Sequence, residues 1–215
     1  MNPVFNQSIN IQFPNDISLT IKREDLIHPF VSGNKFRKLK YNLLQAKAEN
    51  KNTLLTFGGA FSNHIAAVAY AGKEQGFKTI GIIRGDELLD KIEENPTLKF
   101  AQRNGMEFEF VSREEYRLKS EESFIEKLKT KFGDFYLVPE GGTNELAVKG
   151  CEEILTEEDS VFDYVCCAVG TGGTISGLIN SALPNQKILG FPALKGDFLN
   201  DEIRIFAKKD NWNLI

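Results

Sequence analysis

Short apolar runs alternate along the chain with longer segments of helical spacing, and this change of period predicts strands and helices taking turns. Strands are predicted at Thr53–Phe57, Lys78–Ile83, Glu107–Val111, Phe135–Val138, Tyr164–Val169 and Lys187–Phe191. Helices are predicted between them over residues 34–49, 62–75, 96–104, 120–132, 144–155 and 174–182. Phe36, Leu39, Leu43 and Leu44 fall at helical spacing in the first helix, with Asn34 or Ser32 as its cap. The second helix is alanine-rich, and Ser62 stands where an N-cap belongs. Such alternation implies an α/β fold whose parallel sheet is covered by helices on both faces. The N-terminal segment differs. Ile9–Phe13 and Ser18–Lys22 alternate apolar and polar around Pro14-Asn15-Asp16, which predicts an antiparallel hairpin. Gly85–Asn95 reads as an exposed loop or irregular helix.

Composition narrows the class without naming a function. The 215 residues include 26 basic and 30 acidic side chains, a formal charge of −4. With 41% hydrophobic and 26% charged residues, the chain is an ordinary globular sequence, which excludes a disordered, collagenous or coiled-coil protein. The acidic excess argues against a nucleic-acid partner. The apolar run Tyr164–Val169 is far too short to span a bilayer, so no membrane partner is expected. The N-terminal MNPVFNQSINIQF lacks a basic segment followed by an apolar stretch, so no secretory signal is expected. Three cysteines, two of them adjacent (Cys166 and Cys167), form no Cys-x-x-Cys pair. With only His28 and His64 beside them, no metal site is expected, and the chain reads as cytoplasmic and reduced.

Three glycine-containing junctions could carry chemistry. In Gly170-Thr171-Gly172-Gly173-Thr174 a strand runs through glycines into a helix, where crowded backbone amides and a helix N-terminus suit a phosphate. Ile175 stands where the dinucleotide fingerprint needs glycine, and no Gly-Lys-Ser/Thr follows, so neither that motif nor a P-loop is present. The alternative is a tight turn without a ligand. Gly58-Gly59-Ala60-Phe61-Ser62-Asn63-His64 suits a carboxylate held by amides and the Ser62 hydroxyl, or else is a capping serine followed by a surface histidine. In Gly33-Asn34-Lys35-Phe36-Arg37-Lys38-Leu39, the cations Arg37, Lys38 and Lys40 read as a solvated helix face. Lys35 stands apart at the helix start, where the dipole would lower its pKa and favour an amine able to form a Schiff base.

Together with Lys22-Arg23-Glu24-Asp25-Leu26, these segments resemble the 1-aminocyclopropane-1-carboxylate deaminase and D-cysteine desulfhydrase family of pyridoxal-phosphate enzymes. The resemblance covers essentially the whole chain, and Gly-Asn-Lys-x-Arg-Lys-Leu is its most specific part. It implies the tryptophan synthase β-like fold, with two open parallel-sheet lobes and a cofactor cleft between them. Residues 41–140 would form the smaller lobe, and 1–40 with 141–215 the larger, cofactor-binding one. It further implies that Lys35 carries pyridoxal 5′-phosphate and that Ser62 is catalytic. Asn63 would lie near the cofactor ring, Gly170, Thr171, Gly172, Gly173 and Thr174 would hold its phosphate, and Ser62, Asn63 and His64 would bind the substrate. The implied reaction is deamination of a small amino acid to a 2-oxo acid and ammonia, with sulfide from D-cysteine, by a homodimer. Members of the family are longer. The resemblance implies that a C-terminal third is lacking, with the partner of the pyridine nitrogen and a ring-opening tyrosine. A catalytically weak or inactive remnant, or a β-replacing cysteine synthase-like enzyme, is the alternative.

Overall fold

The structure is a computed structural model that describes residues 2–193 and 198–215. It opens with β1 (Asn6–Ile9) and β2 (Leu19–Lys22), followed by α1 (Asn34–Ala48), β3 (Thr53–Gly59), α2 (Asn63–Gln75) and β4 (Lys78–Arg84). The middle of the chain holds α3 (Pro96–Arg103), β5 (Met106–Val111), α4 (Arg113–Arg117), α5 (Glu122–Phe132), β6 (Tyr136–Val138) and α6 (Glu145–Cys151). Then come β7 (Tyr164–Val169), α7 (Gly173–Ser181), β8 (Lys187–Pro192), α8 (Phe198–Arg204) and β9 (Trp212–Leu214).

Two parallel sheets result. The first runs β5-β4-β3-β6 and the second β7-β8-β9. Strand alternation gives the first sheet two covered faces. Leu54 and Ile83 pack with Leu39, Ile65, Val68 and Leu98 of α1, α2 and α3. Their neighbours Leu55, Phe57, Ile80 and Ile82 pack with Tyr116, Phe124 and Leu128 of α4 and α5. In the second sheet, Val169 and Ile188 bury against Cys151, Ile175, Ile179, Leu199 and Ile203. Each parallel strand but β9 hands its chain to a helix after its carboxyl end, and two of those ends place Ser62–His64 and the Gly170–Thr174 loop.

The six strands and six helices predicted from periodicity are present, with shifts at the ends. Residues 152–155, predicted as helix, lie beyond α6, which ends at Cys151. The helices α4 and α8 and strand β9 were not foreseen, because five, seven and three residues are too few to show a period. Gly85–Asn95 contains a 3₁₀ helix over Asp86–Lys91. The hairpin forms, but its first strand is Asn6–Ile9 and not Ile9–Phe13, with Asn6 opposite Lys22 and Ile9 opposite Leu19. A buried carboxylate accounts for that register. Asp159 accepts from Lys22 Nζ at 2.8 Å and Asn6 Nδ2 at 2.9 Å, so the paired ends of both strands are tied to it.

The helix α1 connects the two sheets. Asn42 in its middle donates to the Lys38 carbonyl and accepts from Tyr136 Oη on β6 and from Asn144 Nδ2, the residue that caps α6. The approach of α6 to α1 depends on Gly150, where an added Cβ would lie 2.0 Å from the Arg37 carbonyl oxygen. That oxygen belongs to the backbone and cannot swing aside. Gly150→Ala should therefore push α1 from α6 and destabilise the chain by about 2 kcal/mol or more. Urea unfolding measures this as a lower midpoint at unchanged slope; a wild-type midpoint would contradict the close contact.

Candidate active site

The start of α1 buries more charge than its sequence suggests. Arg37 and Lys38 are 8% and 1% exposed, so only Lys40 of the three is on a solvated face. The reason is a partner for each. Arg37 donates from Nε and Nη2 to the two oxygens of Glu24 at 2.9 and 2.8 Å. This bidentate pair joins the Lys-Arg-Glu-Asp segment to the Asn-Lys-x-Arg-Lys segment. Lys38 has only neutral oxygens: Gly141 O at 3.0 Å, Thr143 Oγ1 at 2.9 Å and Thr171 Oγ1 at 3.4 Å. Burial first, and the charge of Lys35 second, lower its pKa to about 7.

Neither Asn34 nor Ser32 caps α1. Gly33 occupies the cap position at φ +59, a conformation glycine adopts without strain, and no side chain caps the helix. The Asn34 amide is engaged elsewhere, donating to Thr174 Oγ1 at 2.8 Å. This bond holds the start of α1 against the start of α7, 140 residues away. Lys35 follows Asn34 and makes no hydrogen bond through Nζ among the described residues. Burial is the chief cause that lowers its pKa.

A cavity of about 260 Å³ opens between these elements. It is lined by Asn34, Lys35 and Lys38 of α1, by Ser62, Asn63 and His64 at the start of α2, and by Gly170, Thr171, Gly172 and Thr174 before and within α7. Gly173 lies behind that lining, buried against Thr143 and 3.1 Å from Lys38 Nζ when given a Cβ. All three glycine junctions thus meet in one place. The start of α7 is an anion cradle by its chemistry. Gly172 precedes the helix at φ +79 with no side-chain cap, leaving first-turn amides without a partner. Thr171 Oγ1 lies 2.6 Å from Thr143 Oγ1, and Lys38 stands against both. At Gly170 an added Cβ would meet nothing within 4 Å, so there is open space for a ligand.

The start of α2 offers a second set of donors. Ser62 caps the helix weakly, accepting from Ile65 N at 3.5 Å, so its hydroxyl is nearly free. His64 is a buried residue and not a surface one. Thr56 Oγ1 donates to Val138 O, and with its hydrogen so used it accepts from His64 Nε2 at 2.8 Å. Nδ1 is then the bare ring nitrogen, buried without a partner. Burial first, then the charges of Lys35 and Lys38, hold the imidazole neutral. Cys151, near the two lysines, is pushed up to about 11 chiefly by burial, so its thiol stays protonated.

Sequence reading missed three contributors from two places: Lys38, assigned to a solvated face, and the neighbours Glu140 and Gly141, which also line the cavity. A signal for the second existed. Val138-Pro139-Glu140-Gly141-Gly142-Thr143 follows a predicted strand and carries paired glycines, the same arrangement as the other junctions.

Comparison with known proteins agrees with this chemistry. Residues 8–197 match the family model described as pyridoxal-phosphate dependent enzyme. A Thermotoga maritima protein provisionally named 1-aminocyclopropane-1-carboxylate deaminase is 38% identical, over 75% of this chain and 53% of its own. The Arabidopsis thaliana mitochondrial bifunctional D-cysteine desulfhydrase/1-aminocyclopropane-1-carboxylate deaminase is 33% identical over 77% of this chain and 45% of its own. The crystal structure of a 1-aminocyclopropane-1-carboxylate deaminase homologue superposes with a TM-score of 0.80 at 25% identity, over 95% of this chain and 65% of that one. The chain spans about half the length of the two sequence relatives. No helix among the described residues is long and apolar enough to cross a membrane. Two parallel sheets, an anion cradle and an adjacent buried lysine accompany a family match over most of the sequence: the chain belongs to the pyridoxal-phosphate-dependent enzymes.

Proposed function

We propose that this chain binds pyridoxal 5′-phosphate and acts as a deaminase or lyase on a small amino acid, 1-aminocyclopropane-1-carboxylate or D-cysteine. The products would be a 2-oxo acid and ammonia, with sulfide from D-cysteine. One observation carries the reading: Lys35, with its lowered pKa, shares a cavity with an uncapped helix start and a second cation, Lys38. An aldehyde-bearing phosphate ester needs that pair of features. The Gly170–Thr174 loop, the Thr171 hydroxyl and Lys38 would hold the phosphate. Lys35 would hold the cofactor covalently, and Asn63 would stand beside its ring. When bound, the cofactor supplies an electron sink for negative charge at the substrate's α or β carbon. The Ser62 hydroxyl and the amides opening α2 would hold the substrate carboxylate. Once the substrate's amine has taken its place, the Lys35 amine would move protons at the substrate carbons.

The division into lobes is part of the same proposal. The β3–β6 sheet lies wholly within residues 41–140 and the β7–β9 sheet within 141–215, while α1 crosses the boundary at 40/41. A homodimer, the state the resemblance implies, completes it.

Two outcomes are expected. Borohydride reduction of the cofactor-loaded chain should attach the cofactor at Lys35, and Lys35→Ala should abolish the visible absorption of bound cofactor. Peptide mapping that finds the label on Lys38 would reverse the assignment. Lys38→Gln should weaken pyridoxal phosphate binding roughly tenfold or more, the effect of losing one charge-assisted contact. It should also narrow the gap between pyridoxal phosphate and pyridoxal in equilibrium titrations. An unchanged gap would take Lys38 away from the phosphate.

A further inference from the structure

Glu140 is the only carboxylate among the described residues lining the cavity, whose other polar groups are amines, hydroxyls, amides and one imidazole. Its position is built from several contacts. Tyr116 Oη donates to Oε1 at 2.8 Å, and Lys119 Nζ lies 3.4 Å from Oε2. Tyr116 is buried, and burial first, then the neighbouring Glu140 charge, keep its phenol protonated and able to donate. The ring is held from outside by Lys119 Nζ at 5.2 Å and the Arg84 guanidinium at 5.8 Å from its centroid. The short helix α4 that carries Tyr116 begins with a reciprocal cap between Ser112 and Glu115, which fixes where the ring enters.

These contacts leave something over. A carboxylate has about four acceptor sites; Tyr116 takes one by a hydrogen bond, and Lys119 stands against the other oxygen as an ion pair. The Glu140 side chain is still 36% exposed, and Glu140 is among the residues that line the cavity. The remaining polar lining is suited to anionic parts of a ligand, so Glu140 is the place where a proton donor of the ligand would be received. We propose that Glu140 is the specificity-determining residue for the substrate side chain. Its open acceptor sites take the donor of a small amino acid bearing a hydroxyl, thiol or ammonium, and its charge excludes an acidic side chain.

The inference rests on reading the cavity as an amino-acid site, and it narrows that reading. D-cysteine carries such a donor in its thiol. The ring of 1-aminocyclopropane-1-carboxylate presents only C–H groups, which would displace water from the remaining acceptor sites of Glu140 without replacing its hydrogen bonds. A site built to bond a donor rejects the analogue without it more sharply than an apolar pocket rejects an added group.

The test uses amino acids that differ in the side chain alone. D-serine, D-alanine and D-aspartate are titrated into cofactor-loaded wild type, Glu140→Gln and Tyr116→Phe, and binding is read from the cofactor absorption band. Wild type should bind D-serine about tenfold more tightly than D-alanine, the discrimination expected of one hydrogen bond to a charged group. D-aspartate should bind weakest. In Glu140→Gln the D-serine preference should shrink several-fold and the penalty on D-aspartate should disappear. In Tyr116→Phe the D-serine preference should shrink while D-aspartate stays excluded, because the charge remains. A ratio of D-serine to D-alanine equal in wild type and Glu140→Gln would overturn the assignment of Glu140 alone. A wild-type chain that shows no cofactor absorption band would overturn the amino-acid site, and this assignment with it.

Discussion

The structure is organised around buried positive charge at the start of α1. Arg37 and Lys38 leave water within one helical turn, Lys35 beside them is half-buried, and each is compensated differently. Arg37 meets Glu24 in a two-bond pair, which is a complete arrangement. Lys38 meets three neutral oxygens, and Lys35 meets none among the described residues. Burying an ammonium without a counter-charge is costly, and the protein meets that cost by lowering both lysine pKa values instead of pairing them. The result is a pair of lysines without a carboxylate partner of their own among the described residues. In the function proposed above, a phosphate would supply the counter-charge for Lys38, and an aldehyde would remove the need for one at Lys35.

Much of the remaining architecture serves to keep that turn in place. Gly150 lets α6 press directly on the Arg37 carbonyl, and Asn42 ties the middle of α1 to β6 and to the cap of α6. The Asn34–Thr174 bond sets the start of α1 against the start of α7, so the buried lysines and the uncapped amides face one cavity. The two parallel sheets contribute through their carboxyl edges. Among the described residues, four of their strand ends lead into glycine-containing turns, and three of those turns border the cavity. Stability and ligand affinity are therefore coupled through one helix, since a shift of α1 would alter both its packing and its charge environment.

Periodicity made the strands and long helices legible, because each buries one face or two and the period records it. It failed at α4, α8 and β9, which are too short for any period, and at β1, whose register follows a carboxylate more than 130 residues away. The three glycine junctions could be found because glycine before a helix has few other uses. The fate of Lys38 could not. A cation on a helix reads as solvated unless the residues folding over it are known, and here they come from Gly141, Thr143 and Thr171. His64 was misread for the same reason, since Thr56 on β3 bonds its ring and Gly142 packs beside it. Local pattern shows which residue types are gathered; only the tertiary path shows which of them lose water.

Lys38 is a buried cation without a carboxylate partner among the described residues, and its ionisation can be measured directly. Nuclear magnetic resonance of the lysine side chains, with Lys38 assigned by its loss in Lys38→Gln, follows the ionisation of that amine with pH. In the ligand-free chain Lys38 should titrate near 7. Saturating pyridoxal phosphate should move the midpoint well upward, because a bound dianion favours the charged amine. By linkage, the affinity for the phosphate then falls as pH rises between the free and bound midpoints. A Lys38 that titrates near 10.5 without ligand, or whose midpoint does not move when the cofactor binds, would contradict the account.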